Sequence, residues 1–134
     1  MKDKEKIENL CAIDEAKYRN IDLDHLVMFA VGQLEIVGTD LSFENAVVAA
    51  FKLFPRKFAL LGFPSYPDAK RIHDCLFRCT YKTKQWLGGK TRQGFIVTER
   101  SKIYIKEAEH LLKRPSSVET KPSPPRKKER RKEM

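Results

Sequence analysis

Cysteine and histidine are scarce in this 134-residue chain, with three of each. The scarcity limits metal and nucleophile chemistry. Cys75 and Cys79 stand four apart on a predicted helix and so share one face with apolar neighbours. With His73 they make only part of a zinc site. Such sites need about four ligands, and the remaining candidates, Cys11 and His110, are distant and unpaired in sequence. The thiols are therefore expected to pack in a core, and neither metal nor cofactor is expected. An odd cysteine count and no apparent secretory signal suggest reduced thiols. His25, His73 and His110 are scattered, and no Ser–His–Asp, H-E-x-x-H or Gly-framed carboxylate arrangement is visible, so no enzyme is expected. Glycines are also few, at six. Gly88, Gly89 and Gly94 do not make a phosphate cradle, because the lysine of G-x-x-x-x-G-K-[ST] is missing. Long apolar runs are absent. None approaches the ~18 residues of a membrane helix, and M-K-D-K-E-K-I-E-N-L has no apolar run and small-residue cleavage site, so no secretory signal is expected. A cytoplasmic protein is expected, nucleoid-associated if prokaryotic, with no membrane partner.

What the chain does have is charge, and it is unevenly placed. Charged residues make up 34% and hydrophobic ones 41%. The latter suffices for one modest core. Residues 1–68 hold 8 basic and 11 acidic side chains, a net of −3. Residues 69–114 hold 12 and 4, a net of +8, and residues 115–134 hold 7 and 3, a net of +4. The step begins at Lys70. A basic excess confined to one region suggests a surface that faces a polyanion.

Three parts are expected: an N-terminal helical extension over 1–21, a folded domain over 22–114 and a disordered basic tail over 115–134. Leu23, Leu26, Val27, Ala30, Val31, Leu34 and Val37 recur at helical spacing. Asp22 or Asp24 caps that helix, and Gly38 ends it. Ser42 caps a second helix, about Phe43 to Phe54, which Pro55 stops. Phe58, Leu60, Leu61 and Phe63 then form an apolar linker, expected to pack on the core. Asp68 caps a third helix running to about Lys84, with Ile72, Cys75, Leu76 and Cys79 inward. Gln85–Gly88 and Phe95–Thr98 read as strands around a basic loop. Thr98 and Glu99 open a last helix to about Leu112. The tail, S-S-V-E-T-K-P-S-P-P-R-K-K-E-R-R-K-E-M, holds one Val and one Met and cannot bury enough surface to order. It reads as an electrostatic arm on nucleic acid, as a nuclear-import-like patch or as solubilising disorder.

Three helices and a Gly-flanked hairpin ending G-F-I-V-T-E, leading into another helix, resemble the winged helix-turn-helix fold. The ending is similar to the G-[FY]-x-[LV]-T-x-x-G segment at the wing exit of many bacterial and archaeal winged-helix proteins. Gly94, Phe95, Val97, Thr98 and Glu99 match, and Ser101 stands where glycine is common. The Y-P-D approach to the third helix also resembles uncharacterised prokaryotic winged-helix proteins. The fold class this implies is mainly α with a small β-hairpin (α+β), in the order helix-helix-helix-strand-strand-helix. One departure is plain: the third helix follows a long, proline-bearing linker, not the 3–4-residue turn of a tight helix-turn-helix.

The resemblance implies double-stranded DNA as partner, with helix 69–84 in the major groove and wing 88–94 on the backbone. The contacts carried over are Lys70, Arg71, His73, Asp74, Arg78 and Lys82, with Lys90, Thr91 and Arg92 of the wing. Asp74 would accept from cytosine or orient Arg78 one turn later. Tyr81 and Trp86 are the aromatic candidates for base stacking, though Trp86 is expected to pack the hairpin on the third helix. The alternatives are an RNA-binding module or a protein-interaction adaptor. The first helix of the domain or residues 1–21 would be the adaptor's docking surface, and residues 1–21 or the last helix would serve a homodimer.

Overall fold

The chain begins its central helix where an aspartate can satisfy the free N–H groups. The computed structural model describes residues 2–113 apart from Thr91. Of the two candidate caps it uses Asp22, whose carboxylate accepts the His25 N–H at 3.1 Å. This helix, Leu23–Val37, ends at Gly38 in the left-handed conformation (φ 81°), with the Gly38 N–H donating to the Leu34 and Glu35 carbonyls. It is buried on most sides, and Leu26, Met28, Ala30 and Leu34 have no exposed surface.

The order of elements is α1 (Lys2–Glu8), α2 (Glu15–Tyr18), α3 (Leu23–Val37), α4 (Phe43–Leu53), α5 (Pro55–Phe58), β1 (Ala59–Leu60), β2 (Phe63–Pro67), α6 (Ala69–Thr80), β3 (Gly88–Lys90), β4 (Gly94–Ile96) and α7 (Glu99–Lys113). The protein is mainly helical, with two small antiparallel hairpins, β1–β2 and β3–β4. Helices α4, α6 and α7 all pack on α3. The α3–α7 approach is close: a methyl group added at Gly32 would stand 2.7 Å from Cγ2 of Ile105. No helix among the described residues is long and apolar enough to cross a membrane.

The N-terminal segment is part of this core. Ile7 is 2% exposed and Tyr18 fully covered. The Tyr18 ring meets Phe54 edge-on at 4.9 Å, its hydroxyl accepts the Arg56 N–H, and the Ile13 N–H donates to the Leu53 carbonyl. Two anchors on α4 and α5 thus hold a segment whose own periodicity is weak.

The linker between α4 and α6 departs from expectation. Phe58 does enter the core, but Leu61 is 95% exposed, and Leu60, Phe63 and Tyr66 are also exposed. The chain instead turns back on itself at Gly62 (φ 82°) and forms β1–β2, with a register shift between Ala59 and Leu60. A two-stranded hairpin covers neither of its faces, so its apolar side chains stay in water. The Asp68 N–H closes the unit on the Phe58 carbonyl.

Two boundaries also differ. Helix α6 stops at Thr80, short of Lys84, because Tyr81 adopts an extended conformation. The wing strands are β3 and β4, shifted toward the loop from Gln85–Gly88 and Phe95–Thr98. Gln85 has φ 52°, which no strand accommodates, and Thr98 is taken up by the α7 cap. There the Thr98 N–H donates to Oγ of Ser101, and the Ser101 N–H donates to Oγ1 of Thr98. Ser101 thus completes a reciprocal capping box, which accounts for a serine where the resembled pattern has glycine.

Candidate nucleic-acid interface

Helix α6 presents three lines of side chains. Ile72, Cys75, Leu76 and Cys79 face the core with no exposed surface. Burial pushes both thiols up to about 12, so they stay protonated, as core thiols do. His73 lies off this face, edge-on to Phe43 at 5.7 Å, so the Cys75–Cys79–His73 trio does not converge.

On one flank stand Arg71 and Arg78, and neither guanidinium is loose. Arg71 donates through Nη1 to the Lys57 carbonyl at 3.0 Å and lies 3.7 Å from the Asp68 carboxylate. Arg78 reaches Asp24 of α3 with both Nε and Nη2, the shortest contact being 2.8 Å. Lys84 reaches the same carboxylate at 2.6 Å. The Asp24 side chain is only 7% exposed. Burial pushes its carboxyl up, but the hydrogen bonds from Arg78 and Lys84 outweigh this and hold it below its ordinary value. The same pairing raises Arg78. Arg78 therefore fixes α6 to α3, and its i−4 neighbour Asp74 pairs with Lys70 at 3.4 Å instead. A buried carboxylate held by two cations from a distant segment is the main feature that sequence reasoning missed. Asp24 reads in sequence only as a cap, since its partners lie 54 and 60 positions away.

The third line is the outermost. Lys70, Asp74, Phe77 and Tyr81 follow one another at three and four, opposite the buried stripe. Lys82, just beyond, is exposed and makes no ion pair among the described residues. The same holds for Lys90 and Arg92 of the wing.

The wing sits close to this surface. Gly88 pairs with Ile96, Gly89 with Phe95 and Lys90 with Gly94. The Phe95 N–H donates to the Leu41 carbonyl at 2.7 Å, which docks β4 on the connection between α3 and α4. An open groove of about 720 Å³ runs between the start of α4 and the wing, lined by residues 40–44 and 92–95. Phe43 touches His73 on one side and lines this groove with Arg92 on the other. The outer face of α6, the start of α4 and the wing are thus continuous. Asp40 and Glu44 also line the groove, so its charge is mixed. Thr91 lies outside the described residues, as does the tail.

Gly89 is required for this wing. Its φ is 87°, and a methyl group there would overlap the Gly94 carbonyl oxygen and approach the Phe95 Cα at 2.9 Å. Gly89→Ala is expected to unpair β3 from β4 while the helices remain. The left-handed conformation alone costs about 1–2 kcal/mol. The check is amide exchange at Lys90 and Ile96, which should accelerate while amides of α3 stay protected.

Trp86 packs elsewhere than expected. Its ring stacks on Tyr104 of α7 at 4.3 Å and 9°, not on α6. His25 meets it at 4.8 Å, and Nζ of Lys84 lies 4.4 Å above it. The ring nitrogens of His25 in turn face Asp22 and Glu107, each at 2.7 Å, which ties the start of α3 to α7. This is core and scaffold packing, and it leaves Tyr81 as the one aromatic of the original pair on the outer face.

Compared with protein-family models, curated proteins and solved structures, the chain matches none.

Proposed function

We propose that this protein is a non-enzymatic winged-helix DNA-binding protein, a transcription regulator or accessory factor, in which α6 enters the major groove and the β3–β4 wing lies along the backbone. The observation that carries the reading is the continuous surface from α6 through Phe43 to Arg92, bordered by cations that make no ion pair among the described residues. Lys82, Lys90 and Arg92 are suited to phosphates, which position a protein on a duplex without reading it. Lys70 and His73 lie within the same surface. Arg71 and Arg78 have structural work, and each is about half exposed.

The test is fluorescence anisotropy with duplex DNA across a salt series, on the full chain and on a form lacking residues 115–134. Each phosphate neutralised adds about 0.9 to the slope of log K against log salt. Both forms are expected to bind, the shorter one with a shallower slope. No measurable binding by either at ~50 mM salt overturns the proposal. Competition with RNA of the same sequence separates the two nucleic acids.

One observation favours a second reading, a protein-interaction adaptor. The β1–β2 hairpin exposes Leu60, Leu61, Phe63 and Tyr66 together. A contiguous apolar patch of this kind marks many interaction sites. Under that reading Arg92→Ala leaves the protein's activity intact.

A further inference from the structure

Charge does not account for the outermost line of α6. Phe77 is 54% and Tyr81 46% exposed, and their rings meet at 5.4 Å with planes 39° apart. A single exposed ring is ordinary, but a touching pair at the crest of a basic helix calls for a ligand. Another protein is a poor fit. Two half-exposed rings offer roughly 200 Å², against about 800 Å² per partner in a stable interface. Lys70, Asp74 and Lys82 border the pair on the same crest and leave no room for a larger apolar patch.

The polar groups of α6 narrow the choice further. Base edges are read by hydrogen bonds from Arg or Lys, Asn or Gln, Asp or Glu, and Ser or Thr. Arg71 and Arg78 are engaged by the Lys57 carbonyl and by Asp24, and Asp74 is paired with Lys70. Between Lys70 and Lys82 the crest therefore offers the two rings and an already paired carboxylate, so its middle meets a base by apolar contact. The apolar feature of the major groove is the C5-methyl group of thymine. A helix about 10–12 Å across fits a groove about 12 Å wide.

We infer that Phe77 and Tyr81 are the base-reading side chains of α6 and that they cover thymine methyl groups in duplex DNA. This rests on the reading of α6 as the groove-facing helix. Four residues of helix rise about 6 Å, close to two base steps. The bound sites should therefore carry thymines one or two steps apart.

The experiment starts from duplexes selected out of a random pool by the full-length protein, then remade with uracil in place of thymine. Each methyl group covered is expected to contribute about fourfold in affinity, the value of one buried methylene. Phe77→Ala should lose about one methyl group's share of the discrimination, and Phe77→Ala with Tyr81→Ala should bind the two versions equally, each with the salt slope of the wild type retained and an unchanged circular dichroism spectrum. Equal binding of both versions by the wild type, or full discrimination by the double variant, overturns the inference while duplex binding with its normal salt slope leaves the α6–wing reading standing. Absence of any duplex binding removes both. A more than tenfold preference for single strands over duplexes also overturns it, and points to stacking on unpaired bases instead.

Discussion

Replacing Arg78 and Lys84 together with methionine is expected to cost about 3 kcal/mol of folding stability. Both substitutions keep the apolar stems, so the loss isolates the charges. The wild-type Asp24 carboxylate accepts three contacts from Arg78 and one from Lys84 while nearly excluded from water. Removing both cations leaves a buried charge without compensation, a change worth about 3–5 kcal/mol. The lower end applies because the Arg78 side chain is half in water. Against a domain's total of about 5–15 kcal/mol, this is a large share. Adding Asp24→Leu to the double variant should recover much of the loss, since the unpaired charge goes with it. Urea midpoints of the three proteins are the measurement. No recovery in the triple variant would mean that packing, not charge, sets the cost.

The pH dependence gives this prediction a second readout with a definite sign. In the wild type the folded carboxyl lies below its unfolded value of about 3.9. Its contribution is complete above that value and is lost as pH falls through the folded one. In the double variant only burial acts on Asp24, which moves the folded carboxyl upward. That variant is then penalised near neutrality and relieved as the group takes up a proton. The stability gap between wild type and double variant should therefore shrink steadily as pH falls from about 6 to 3.

The second large effect concerns affinity. Substituting Lys82, Lys90 and Arg92 with alanine should lower the salt slope by about 2.7, at about 0.9 per phosphate contact. At ~0.1 M salt the same release corresponds to a loss of two to three orders of magnitude in K. The three side chains are exposed and make no ion pair among the described residues, so the fold should melt at an unchanged temperature. An unchanged slope would remove the wing and the end of α6 from the interface. The neutral loss in affinity should be uniform across duplex sequences, which separates it from the thymine-dependent loss expected of Phe77→Ala.

The wing illustrates how far local patterning reaches. Gly94, Phe95, Val97 and Thr98 located a hairpin leading into a helix, and the hairpin is there. Its strand bounds moved by one to three residues, because pairing depends on which partner strand is opposite and on whether Gln85 can extend. The linker after α4 shows the opposite failure. Of four apolar residues that read as core, Phe58 is buried, but nothing is laid over Leu60, Leu61 and Phe63, and they stand outside on the β1–β2 hairpin. Composition reports how apolar a segment is, not whether anything is available to cover it.

The surface of α6 divides the same way. Its inward stripe followed from helical spacing, and Ile72, Cys75, Leu76 and Cys79 are all buried. Its outward charges were equally visible as residue types, but their partners were not. Whether Arg78 meets water, a phosphate or Asp24 depends on how two helices more than fifty positions apart are juxtaposed.

By itself the sequence determined helices α3, α4, α6 and α7, the caps at Ser42 and Asp68, a cap at Asp22 or Asp24, the stop at Gly38 and the step in charge at Lys70. Those rest on interactions within a turn or two of chain, or on simple counting. Only the tertiary structure decided that Asp24 holds Arg78 and Lys84, that Trp86 lies on α7 and that Phe77 and Tyr81 form the crest of α6. Each depends on contacts between distant segments, or on the cover those segments fail to provide, and neither is encoded in residue spacing.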